Sequence, residues 1–130
     1  MVELNLYSAW IGILVGMIAG AVQGLFFHGD DWLGGYGSWR RRLMRLGHIS
    51  FFGIAFVNLA FVYTADRIVV AGDPIVTPIV WASYLFIAGA VLMPLVCYLS
   101  AWIKGFRHAF FLPVCSLIGA VFCVMGGLLQ

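Results

Sequence analysis

Long apolar runs alternate with short polar clusters along this chain. The runs cover residues 6–27, 46–64, 79–103 and 109–129, and none contains Asp, Glu, Lys or Arg. An α-helix rises about 1.5 Å per residue, so about 20 apolar residues cross a hydrocarbon core about 30 Å thick. The pattern predicts an all-α integral membrane protein. Its four transmembrane helices form one bundle, a single transmembrane domain over residues 1–130.

The first run carries Gly12, Gly16, Gly20 and Gly24, one glycine every four residues. On a helix of 3.6 residues per turn these line one slowly drifting face. Helices in lipid associate where small residues let backbones come close, as in the G-x-x-x-G pattern. The ladder is therefore expected to be a packing face for another helix of the bundle, a second copy, a partner subunit or a flat cofactor. Leu at Gly16 or Gly20 is expected to disrupt folding or assembly, and Leu at Ala9, off the ladder, to be tolerated better. Asn58, inside the second run, is expected to make an interhelical hydrogen bond. Pro94 is expected to kink the third helix, whereas Pro113, early in the fourth, is better tolerated.

The first connection, residues 28–45, is the long one. Gly29, Gly34, Gly35 and Gly37 break a helix before Ser38, a residue suited to capping a helical turn after it. Trp32, Tyr36 and Trp39 are the amphipathic aromatics expected at head-group depth, ahead of a short basic turn over 39–45. Asp30 and Asp31 are placed to answer the arginines locally. The second connection holds Gly72, Pro74 and Pro78, with 68–70 expected at the outer interface. Residues 104–107 make the third a tight turn.

Composition narrows the class. Hydrophobic residues make up 64% of the chain and charged residues 9%, against about 45–50% and about 25% in soluble domains. Lipid has to be the solvent. The net charge of +2 is too small and too localised to mark a nucleic-acid binder. Arg40, Arg41, Arg42 and Arg45 lie in the first connection and Lys104 and Arg107 in the third, while the second has only Arg67 beside Asp66 and Asp73. Cytoplasmic loops are enriched in Lys and Arg. Connections one and three are thus expected in the cytoplasm, with both termini outside, in a bacterial inner membrane. The same arginines are expected to meet anionic lipid head groups. The first span, preceded by Glu3 and lacking a small-x-small cleavage pattern, is expected to be retained. Cys97, Cys115 and Cys123 sit in predicted spans, which argues against a disulfide framework.

Candidate chemistry is confined to one membrane level. His28, His48 and His108 fall near three helix ends on the basic side, with Cys97, Cys115, Asp30 and Asp31 in the same half. Imidazole ligates haem and transition metals, and a helical bundle is a natural frame for such a site. His48 and His108, with His28 as a third ligand, are the candidates for haem b or a transition metal. Interfacial preference alone also places histidines there, and no H-x-x-x-H or paired-cysteine spacing reinforces the set. Deep in the spans the polar members are Asn58, Ser83, Tyr84 and Ser116. A channel or transporter needs an ionisable path, and Ser50 cannot form a triad with His48, so an enzyme is the least favoured class. The expected function is an accessory or structural subunit of a larger membrane assembly, with a redox complex as a plausible host. The rival is a haem- or metal-binding electron-transfer protein.

Overall fold

The computed structural model describes residues 2–70 and 77–129, leaving aside the side chains of 68–70. Those residues form helices α1 (Val2–Phe26), α2 (Trp39–Val70), α3 (Thr77–Trp102) and α4 (Phe111–Leu128), and no strand occurs among them. Short 3-10 segments, Trp32–Gly34 and Lys104–Phe110, precede α2 and α4. All four helices are long and apolar enough to cross a membrane. Asp73, Pro74 and the rest of 71–76, and the expected interfacial role of 68–70, lie outside the described residues.

The charged residues do not mark where the helices begin. α1 starts at Val2, which places Glu3 in the first turn, where a carboxylate suits the positive end of the helix dipole. α2 starts at Trp39 and not near residue 46. The basic stretch 39–45 is continuous with the span because Ser38 caps it. The Ser38 hydroxyl accepts from the Arg41 amide at 3.1 Å and donates to the Leu33 carbonyl at 2.7 Å, the N-cap arrangement. The turn before it needs left-handed backbone at Leu33 (φ 57°), Gly34 and Gly35 (both φ 87°), which glycine adopts at little cost. His48 consequently lies in the third turn of α2 rather than the first. α3 continues through Pro94, and Pro113 is buried in the first turn of α4.

The helices pack in chain order. α1 lies against α2, α2 against α3 and α3 against α4, with a lesser contact between α1 and α3. α2 and α3 form the central pair, and α1 and α4 flank it. Only 11% of the α4 span is buried, against 39% of the α3 span, so α4 is held along one side. A cluster of Phe61, Ala65, Ile79, Ala82, Phe86 and Ala120 joins α2, α3 and α4, with the Phe61 and Phe86 rings 5.2 Å apart.

At each interface a glycine admits a side chain of the next helix. A Cβ on Gly16 would stand 2.9 Å from Phe52 Cε2, and one on Gly20 2.6 Å from His48 Cε1. Gly47 of α2 likewise receives Tyr98 and Cys97 of α3, and Gly89 of α3 receives Leu117 of α4. Gly24 faces open space. Ala9 is fully buried, which corrects the expectation that Leu would be tolerated better there than on the ladder. It belongs to the face Asn5–Ala9–Gly12–Gly16–Gly20–Gln23, spaced by three and four residues like any helical stripe.

Gly16→Leu is expected to destabilise the protein by about 1–3 kcal/mol through overpacking, and Ala9→Leu by a comparable amount. Gly24→Leu is expected to stay within about 0.5 kcal/mol of the parent, as surface substitutions do. Unfolding in a single detergent measures all three, and equal losses for Gly16→Leu and Gly24→Leu would contradict this packing.

Candidate functional site

Two polar clasps tie α1 to its neighbours, one near each end of the helix. In the first, Asn5 Nδ2 donates to Asn58 Oδ1 at 2.9 Å and to the Ser83 carbonyl at 3.2 Å. The Ser83 hydroxyl donates back to Asn5 Oδ1, and Asn58 Nδ2 donates to the Ile54 carbonyl at 2.9 Å. Asn5 and Asn58 are 0% exposed and Ser83 is 1% exposed. Three helices therefore meet at one dry hydrogen-bonded point, where an unmatched polar atom would be costly.

The second clasp lies toward the arginine-bearing end. Gln23 Nε2 of α1 donates to the Tyr98 hydroxyl of α3 at 3.1 Å, and Trp39 Nε1 of α2 donates to the Ser100 carbonyl at 2.9 Å. Arg41, 5% exposed, donates to the Phe27 carbonyl at 3.3 Å. Its guanidinium lies 5.1 to 5.6 Å from the ring centroids of Phe27, Trp32 and Tyr36. Arg45 stacks on Tyr36 at 4.2 Å and Arg40 over Trp102 at 5.3 Å. Arginine suits such stacking because its planar cation is weakly hydrated. The close partners of these arginines are thus rings and carbonyls, while Asp30, Asp31 and Arg42 are not buried.

Among the described residues four buried polar atoms have no hydrogen-bond partner, all in this half: Gln23 Oε1, Arg41 Nε, His48 Nδ1 and Ser100 Oγ. The first clasp leaves none. The difference separates a closed structural knot from a region with unused hydrogen-bonding capacity.

The histidines are not gathered. His28 and His108 are exposed, and His108 Nε2 accepts from Arg107 Nε at 3.3 Å. His48 stands edge-on to Phe52, ring centroids 5.4 Å apart, and fills the space above Gly20. Phe51 and Phe52 cover Gly16, so α2 side chains occupy the glycine face considered for a macrocycle. Among the described residues no three His, Cys, Asp or Glu side chains converge as a metal site would require. Cys97 is buried, Cys115 exposed and Cys123 intermediate.

Asn5, Tyr98 and Ser100 do not stand out in the sequence. Asn5 lies one residue before the predicted first span, and the others resemble ordinary span residues. The available signal is the stripe from Asn5 to Gln23, where two amides bracket a small-residue face.

The chain matches no protein-family model, no curated protein and no solved structure. Fold and polar framework together define its class: an integral membrane protein of four apolar helices.

Asn5→Ala and Asn58→Ala are each expected to lower stability by about 1–2 kcal/mol, since each leaves a buried partner unmatched. Because the two share one hydrogen bond, the double variant is expected to lose less than the sum. Strict additivity in a double-mutant cycle would show that they do not interact.

Proposed function

We propose that this protein is a small accessory or structural subunit of a larger membrane assembly. Its place is a bacterial inner membrane, with both termini outside and the arginine-bearing end in the cytoplasm, where Arg42 and its neighbours meet anionic lipid. The observation that carries the reading is where the glycines are left over. Each contact between consecutive helices takes up a glycine, yet Gly24, Gly53 and Gly126 have nothing within 4 Å of a built Cβ. Small residues on an exposed span are what a neighbouring transmembrane helix needs to approach closely.

Gly53 also lines an apolar groove of about 400 Å³ between α2 and α4, with Phe86 of α3 as part of its floor. The α4 side of this groove carries Ile118, Phe122 and Met125, all more than half exposed. A host helix laid along α4 would find both shape and close approach there. Among the described residues no Asp, Glu, Lys, Arg or His is buried at mid-span, which favours a scaffold over a transporter. A redox complex remains the host proposed.

Purification in a mild detergent is expected to bring down further membrane chains in fixed proportion, and Gly53→Leu to release them while leaving the fold intact. A chain that is always recovered alone and monodisperse would overturn the proposal. The same sample decides the rival, since a Soret band or a stoichiometric metal would favour ligation by His48 and His108. A reporter active only in the cytoplasm is expected to stay silent at the C-terminus, and strong activity there would reverse the orientation.

A further inference from the structure

The two clasps bracket a space between α1 and α3. Asn5 and Gln23 are separated by about 27 Å of helix, and each bonds to α3. Between these points α1 and α3 stand apart and leave an apolar groove of about 640 Å³. Ile11 and Val15 form one wall, Val91 and Leu95 the other, and Phe51 and Ala55 of α2 the floor. Its lining runs from Leu4 to Val15 on α1 and from Ile87 to Tyr98 on α3, about 17 Å of helix, and is almost wholly apolar, as a hydrocarbon chain requires.

The chemistry at one end is polar and basic. Tyr98 closes the groove there. Its oxygen accepts from Gln23 Nε2, so its own hydroxyl proton is free to be donated. Gln23 itself is 4% exposed, and its Oε1 is unpartnered. Following the floor of the groove along α2 from Phe51, positions seven and eleven residues back share its face: Met44 and then Arg40. Arg40 is exposed. It stands in the first turn of a helix with no acidic residue there, where the dipole adds to the positive charge of Arg41 and Arg42. Helix N-termini of this kind favour an anion, a phosphate above all.

We infer that the α1/α3 groove binds one anionic phospholipid from the leaflet on the arginine-bearing side. One acyl chain lies in the groove, an ester carbonyl accepts a hydrogen bond from Tyr98, and the phosphate meets Arg40. Tyr98 and Arg40 are separated by about 10 Å along the axis, since Tyr98 packs on Gly47 and seven residues of helix separate Gly47 from Arg40. An arginine side chain and a glycerophosphate together bridge that gap. The site rests on the proposal that the arginine-bearing end meets anionic lipid, but not on a protein partner, because it uses neither α4 nor the glycines facing open space.

Native mass spectrometry of the purified full chain, with phosphatidylglycerol or phosphatidylcholine supplied in the detergent, tests the site. One phosphatidylglycerol is expected to stay bound at collision energies that remove phosphatidylcholine. Arg40→Gln, an exposed change that should not disturb folding, is expected to weaken phosphatidylglycerol retention about fivefold and leave phosphatidylcholine unaffected. Ala90→Trp, which fills the groove, is expected to abolish retention of both, with an unchanged circular dichroism spectrum as the control for folding. Equal retention of the two lipids, wild-type binding by Arg40→Gln, or a co-purified isoprenoid quinone in place of phospholipid would each overturn the inference.

Discussion

Inside a bilayer the solvent is as apolar as the side chains, so burying leucine against leucine brings helices together only weakly. What remains is close packing and hydrogen bonding, and the structure depends on both. Gly16 and Gly20, Gly47 and Gly89 let side chains of the next helix reach the backbone, gaining dispersion contacts that lipid tails would fill less completely. The amides of Asn5 and Asn58 add a directional bond that lipid cannot replace. Leaving either unmatched in hydrocarbon is the alternative that holds the clasp shut.

The arrangement of the helices is a consequence of these contacts. Because each helix offers its small residues to the next, the four form a row folded about the α2–α3 pair rather than a closed ring. Such a row has two faces, each with a furrow: α1 and α3 flank one over α2, and α2 and α4 flank the other over α3. The furrows differ in their surroundings. The first is bracketed by hydrogen bonds and ends beside exposed arginines, which suits a lipid. The second has an open glycine in its wall and a loosely held helix at its side, which suits a protein. The proposed lipid and the proposed host helix would thus occupy different faces of one chain of 130 residues.

Much of the fold is legible in the sequence because hydropathy and span length are physical requirements of the bilayer. Helix starts are less legible. Hydropathy sees where charge begins, whereas Ser38 and Leu33 decide where α2 begins, and so the arginines are helical. Pairing is the least legible part. Asn58 reads as a hydrogen-bonding residue, but its partner Asn5 sits just outside the apolar run, and only the tertiary fold shows that the two are opposite. Ala9 escapes for the same reason, since a stripe defined by glycine alone omits the alanine on its face. The histidines share a half of the chain's apolar pattern, but level in the membrane is one coordinate of three. His48 turns toward Gly20 and His108 is exposed beside Arg107.

The central claim is that a buried amide contact between α1 and α2 fixes the first helix in place. Solid-state nuclear magnetic resonance of the labelled protein in lipid bilayers observes that contact directly. The structure predicts a through-space correlation between the side-chain amide nitrogen of Asn5 and the side-chain carbonyl carbon of Asn58, protected from exchange with water. Correlations of either amide with water or lipid alone would contradict it.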